Sequence, residues 1–328
     1  MKGTFTGAAR LIRGITTGSL STFLQTRGVY VALVVVVLIS AILSPAFYKF
    51  SNVLNVLRAA AVLGTVSIGQ TLVILGGGID LSVGAVMGTV AITVSEITGG
   101  QNHHVALAIL VCLGIGAGVG LLNGLLITKR NIPPFVATLG MLIFVEGARL
   151  AWTKGIISGR PAPFIRSLAV IVGPVPIPVV IMAILAVIVG IFLRKAPFGR
   201  QLYATGGNRE VARYSGINVD RISIITYVLC GLFAATAGLV LSGYIGYADR
   251  YLGRGFDLDS IGAVVLGGTS FAGGRGGIGG TIVGVLLLTA LVNIVLILNL
   301  QVHYQLIIKG AVIIGAVMLY SFKTSFEV

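Results

Sequence analysis

Apolar runs of about 20 residues recur along almost the whole chain, each long enough to cross a hydrocarbon core about 30 Å thick. No soluble fold of 328 residues has use for so many. Composition agrees: 56% of residues are hydrophobic and 10% are charged, where a water-exposed domain carries about a quarter charged residues. Mean hydropathy is +1.04. The runs lack the single-residue alternation of a closed barrel, so the spans are helices, whose backbone bonds close within each segment. The pattern predicts an all-α membrane protein with ten spans, at 28–47, 53–75, 81–98, 105–128, 134–152, 177–194, 221–244, 258–272, 279–298 and 303–321. The eighth is short and ends in glycine, which marks it as a partial or re-entrant helix.

Net charge is +14. In a membrane protein basic residues mark the cytoplasmic side and contact lipid headgroups, so nucleic acid is excluded as a partner. With the N-terminus inside, 14 of the 23 Lys and Arg fall on cytoplasmic segments and 8 on outer ones, leaving Lys309 within the last span. Both termini are therefore expected in the cytoplasm. Residues 1–27 form a basic N-terminal segment with a weak amphipathic pattern, 28–322 one membrane domain, and 323–328 a tail. The first span lacks a cleavage site and is expected to remain as an anchor. Segment 195–221 is the longest polar stretch inside the cell. Outside, "TKGIISGRPAPFIRSLAVIVGPVPIP" holds five prolines, which limits it to short helical pieces.

Glycine-rich breaks interrupt two apolar runs. In "TLVILGGGIDLSVGAVMGTVAIT", Gly76, Gly77 and Gly78 precede Asp80. Three glycines free the chain to turn, and Asp80 then suits the N-cap of the following helix at the cytoplasmic edge. At a span's centre the same carboxylate would cost about 2.5–3.5 kcal/mol; a proton relay is the alternative role. The second break, "GGTSFAGGRGGIGG", contains Gly267, Gly268, Gly273 and Gly274, and its flanks faintly echo the first. Such repeats with broken helices occur in transporters, although glycine-rich composition produces similar echoes. "GIGAGVG" offers Gly114/Gly118 and Gly116/Gly120 for close helix packing.

Catalytic chemistry finds no footing. Nine acidic residues are scattered, with Glu146 placed to pair with Arg149 at i+3. Cys112 and Cys230 lie within spans, and the three histidines lack neighbours at ligand spacing. Catalytic residues, metal ligands and a resident cofactor are not expected. There is no G-x-x-x-x-G-K-[ST] nucleotide loop, so any ATP-driven role requires a partner. Neutral polar residues within the spans, including Gln70, Asn123, Thr138 and Asn293, together with Phe135, are candidates for lining a passage for a neutral, hydroxylated solute.

"GGGIDLSVGAV", "GLLNGLLITKRNIPPFVATLG", "FGRQLYATGGNREVARYSGINVDRI" and "LDSIGAVVLGGTSFAGGRGGIGGTIVGVLL" resemble the permeases of bacterial ATP-binding-cassette sugar importers. The similarity is to the ribose type, which includes xylose, arabinose, galactoside and autoinducer-2 systems, and runs from about residue 50 to the end. It implies a ten-helix fold of the vitamin-B12-importer kind and a bacterial inner-membrane location. It also implies a second permease chain, cytoplasmic ATPase subunits that bind ATP and Mg, and a periplasmic or lipoprotein solute-binding protein. "NREVARYSGI" then corresponds to the helix that docks on the ATPase, carried by Gly207, Asn208, Glu210, Ala212, Arg213, Ser215 and Gly216. Asn208 can cap that helix and Gly216 end it, while an ordinary surface loop is the bland alternative. Where relatives often show Arg-Gly after the "TLG" helix, this chain has Glu146-Gly147 with Arg149 shifted. A secondary carrier or channel is the competing function.

Overall fold

The computed structural model describes residues 28–157, 159–301, 303–311 and 314–315. The amphipathic pattern expected at 1–27 and the tail at 323–328 lie outside the described residues. Helices dominate: α1 (Gly28–Leu43), α2 (Phe50–Leu75), α3 (Val83–Thr98), α4 (Val105–Lys129), α5 (Pro134–Trp152), a single turn α6 (Pro163–Ser167), α7 (Ile177–Lys195), α8 (Pro197–Gly207), α9 (Arg209–Tyr214), α10 (Val219–Ile245), α11 (Phe256–Leu266), α12 (Ile278–Ile297) and α13 (303–311).

A helix stands at each of the ten expected spans, and their lengths differ for a physical reason. Among the described residues α2, α4, α5, α7, α10 and α12 are long and apolar enough to cross a membrane alone. At 1.5 Å per residue, α11 reaches only about 16 Å before Gly267, roughly half a hydrocarbon core. It is a partial helix, and the break at 267–277 carries the chain back to α12.

The centre of the bundle is α2, packed by α7, α10, α11 and α12. From Ala60 to Leu75 every residue of α2 is buried. Helix α10 lies along α4 with backbones nearly touching: a Cβ on Gly116 would overlap the Gly231 carbonyl, and one on Gly120 the Tyr227 carbonyl. Gly124 continues this stripe against Ile224, whereas Gly114 and Gly118 face open space. One of the two glycine pairs expected to pack does so, and the other looks outward. The faces of α5 bearing Phe135 and Phe144, and of α7 bearing Val187 and Ile188, are exposed and apolar.

At one end of the bundle the proline-rich connection folds into α6 and a two-residue hairpin, β1 (Ile171–Val172) against β2 (Val175–Pro176). The hairpin was not expected from the proline count. Gly173, at φ 60°, makes it possible by opening a two-residue loop.

Candidate functional site

At the opposite end of the bundle three chain segments converge: the break after α2, the break after α11, and the α8–α9 connection. Both breaks begin alike. After α2, Gly77 at φ 75° donates to Ile74 and Gly78 donates to Val73, each at 2.9 Å. After α11, Gly268 at φ 84° donates to Val265 at 2.9 Å and Thr269 to Val264 at 3.2 Å. Each is a Schellman stop, in which a left-handed residue lets two amides turn back onto the last carbonyls. The faint sequence echo between "VILGGG" and "VVLGGT" is thus repeated in backbone geometry.

The two breaks also bond to each other. The amide of Gly274 donates to the carbonyl of Leu75 at 2.9 Å. Between them sits the last turn of α8: Gly206 meets Leu75, Gly273 and Gly274 backbone to backbone. Tyr203, one turn earlier, donates its hydroxyl to the Gly276 carbonyl at 2.9 Å.

Asp80 was expected to cap α3 at an exposed edge, and the structure overturns this. Its side chain is buried, and the first residue before α3 is Ser82. Asp80 Oδ1 accepts from the Ser82 amide at 2.8 Å and the Ser82 hydroxyl at 2.6 Å. This is an Asx-type turn rather than a helix cap. Asn123 Nδ2 donates to Ser82 Oγ at 2.9 Å and reaches Asp80 Oδ1 at 3.5 Å. With its amide turned so that oxygen faces donor and nitrogen faces acceptor, Gln70 pairs with both backbone groups of Asp80, each at 3.2 Å. Thr138 and Tyr227 hydroxyls both point at the Ile79 carbonyl, 3.3 Å away. Cys230 lies against the Asp80 carboxylate. Asn123 stands six residues inside the Lys129 end of α4, about 9 Å deep at the helical rise. A carboxylate at that depth is retained because side chains from α2, α4 and α10 satisfy it or its neighbours.

Three of the five candidate passage residues, Gln70, Asn123 and Thr138, therefore gather on segment 79–82 and are fully buried. Asn293 does not join them; it exchanges amide hydrogen bonds with Asn52 at 2.9 and 3.0 Å. Phe135 is exposed on α5.

Helix α9 is a short, well-terminated element. Asn208 Oδ1 accepts from the amides of Glu210 at 3.0 Å and Val211 at 3.1 Å. Gly216, at φ 80°, closes the other end with another Schellman pair, Gly216 to Arg213 and Ile217 to Ala212, each at 3.0 Å. Arg213 bonds Asp220 at 2.9 Å, and Arg209 bonds Ser223 at 2.9 Å, so two side chains fasten α9 to the start of α10. Lys129 at the end of α4 shares Asp220 at 3.5 Å. Ala212 is buried and faces inward, whereas Val211 and Tyr214 project outward, Tyr214 being 90% exposed. Sequence reasoning passed over both, although their i, i+3 spacing puts two apolar side chains on one side of a short polar helix.

At the hairpin end, Arg149 is buried on α5. It donates to the Arg250 carbonyl at 3.2 Å and faces Glu146 at 3.7 Å, which also takes Arg254 at 3.4 Å. The i+3 pairing seen in the sequence is one half of a bridge from α5 to the loop after α10.

Residues 52–317 match the family described as the branched-chain amino acid transport system / permease component. The chain belongs to this family. It is a multi-pass permease, a membrane transport subunit rather than an enzyme. Among curated relatives, the ribose import permease protein RbsC of Bacillus subtilis is 42% identical, with 90% of this chain and 92% of that protein aligned. RbsC of Escherichia coli K12 is 38% identical over 88% and 91% of the two chains. The galactose/methyl galactoside import permease protein MglC of the same strain is 34% identical over 93% and 96%. No solved structure matches the chain.

Seen as a permease, the molecule places its polar side chains unevenly. Among the described residues, the long polar connection at the α8–α9 end is the one carrying α9, and both helix breaks meet it. Gly206, Tyr203 and Leu75 were absent from the residues singled out in the sequence. "YATGG" belongs there to the polar segment 195–221, and nothing local announces that its backbone abuts two distant breaks.

Proposed function

We propose that this permease is the transmembrane subunit of an ATP-driven importer for a sugar or sugar-like polyhydroxylated solute. The observation that carries the reading is similarity over about nine tenths of the chain to permeases named for ribose import. The family's own description names branched-chain amino acids. The full-length relatives named for ribose and galactose outweigh that broader label.

In this reading the α8–α9 end faces the cytoplasm, both termini lie there, and the membrane is the bacterial inner membrane. Partner ATPase subunits, which bind ATP and Mg, dock on the outward Val211–Tyr214 side of α9. A second permease chain, identical or related, packs on the exposed apolar faces. A binding protein delivers solute at the end that carries α6 and the hairpin. The ATPase supplies the free energy of hydrolysis; this chain's residues convert it to helix movement. Arg213–Asp220 and Arg209–Ser223 keep α9 from rotating freely on α10, so a push on α9 reaches the bundle.

Reconstitution in vesicles with the ATPase and a binding protein tests this, using a panel of pentoses, hexoses, polyols and leucine. The expected result is uptake of a sugar or polyol that stops without ATP. Uptake by the permease alone without ATP would instead make it a secondary carrier, and uptake restricted to leucine would refute the sugar assignment.

A further inference from the structure

The α8–α9 connection, the α2 break and the α11 break are in backbone contact at Gly206, with the Gly207 backbone also against Gly274. A Cβ on Gly206 would overlap the Leu75 carbonyl and would sit 2.6 Å from the Gly274 amide. Gly273, at φ 87°, approaches Gly206 from the other side, its own Cβ position 2.7 Å from the Gly206 carbonyl and 3.0 Å from the Gly77 Cα. Gly207 is different: nothing lies within 4 Å of a Cβ built there. The next residue, Asn208, is at once the C-cap of α8 and the N-cap of α9. Leu202, fully buried one turn earlier, holds α8 against Gly76, and Tyr203 hydrogen-bonds the second break.

We infer that Gly206 is a positioning residue through which displacement of α9 enters both helix breaks together. The inference rests on the proposed coupling to an ATPase. Its physical basis is the lack of slack. Where side chains meet, rotamer changes absorb small movements; where backbones meet, a shift must be passed on, because packed interiors are nearly incompressible. The Gly274–Leu75 hydrogen bond makes the two breaks one mechanical unit. A displacement of α8's last turn therefore bears on the ends of α2 and α11 at the same time. The Schellman stops at Gly77 and Gly268 are the places where those helices can change direction.

The test compares Gly206→Ala, Gly279→Ala and Tyr203→Phe in the full complex, reconstituted with ATPase and binding protein and probed with labelled ribose. For Gly206→Ala the expected result is ATPase association and hydrolysis within twofold of wild type, with ribose uptake per ATP reduced at least tenfold. Gly279→Ala, beside the second break but with nothing within 4 Å of the added Cβ, should keep both. Tyr203→Phe, which removes one hydrogen bond and adds no volume, should lower uptake per ATP about threefold. Wild-type uptake per ATP in Gly206→Ala overturns the inference. Should that variant not accumulate in the membrane, unchanged coupling in Tyr203→Phe overturns it equally. ATP-independent uptake by wild type would sink the importer reading itself, whereas normal coupling in these variants beside an ATP-dependent wild type sinks only the role of Gly206.

Discussion

Lys309 on α13 donates to Asp259 on α11, joining the final described helix to the partial one. Both side chains are about four-fifths buried. Removing one member of such a pair strands a charge away from water. Lys309→Met is expected to destabilise the permease by about 3 kcal/mol, read as thermal unfolding in detergent. Adding Asp259→Leu should recover most of that loss; equal destabilisation in the single and double variants would mean the pair contributes nothing.

The α4–α10 contact predicts opposite effects for two neighbouring glycines. Gly120→Ala forces Cβ into the Tyr227 backbone and should cost about 1–3 kcal/mol by overpacking. Gly118→Ala faces open space and should be neutral or stabilise by about 0.5 kcal/mol through the unfolded chain. Unfolding midpoints of the two variants, measured side by side, decide the matter, and matching shifts would contradict the packing described.

Asp80 predicts a difference between losing an acceptor and losing a charge. Asp80→Ala leaves the Ser82 amide and the Ser82 hydroxyl without their acceptor, at roughly 1–3 kcal/mol for each group left unsatisfied. Asp80→Asn keeps an oxygen in place and should be much milder. A thermal shift of equal size for both would show that the hydrogen bonds are not what holds the segment.

The capping of α9 is open to a local measurement. Asn208→Ala should cost about 1 kcal/mol and should speed hydrogen exchange at the Glu210 and Val211 amides. The transmembrane helices should keep their protection. Unchanged exchange at those two amides would rule out the cap.

Tyr214 makes no demand on the fold. Tyr214→Ala should leave the unfolding midpoint within about 0.5 kcal/mol of wild type, yet lower co-purification of the ATPase at least fivefold. Full retention of the ATPase would remove this face of α9 as its docking surface.

How far the amino-acid order foretells this molecule depends on the range of the interaction involved. The spans are legible because a run such as 177–194 satisfies its backbone within itself and needs no partner to be helical. The limits of α9 are legible for the same reason, since Asn208 and Gly216 act on amides and carbonyls a few residues away. Asp80 misled because a local rule fits it: an acidic residue before a helix reads as a cap. Its burial is imposed by Asn123 and Cys230, which only the folded chain brings near. Gly206 was invisible for a related reason, as a close backbone approach leaves no mark in composition beyond the glycine itself. The hairpin at 171–176 was hidden by prolines that suggested only irregular structure.

The Asp80 cluster also bears on how the chain is made. Its carboxylate emerges from the ribosome well before Tyr227 and Cys230 exist, so the first glycine break enters the membrane region incomplete. Until α10 arrives, that polar segment must stay hydrated at the insertion machinery, and α2 cannot settle into its final place. A nascent chain halted before residue 219 should accordingly leave Asp80→Cys open to a water-soluble thiol reagent that the finished chain excludes.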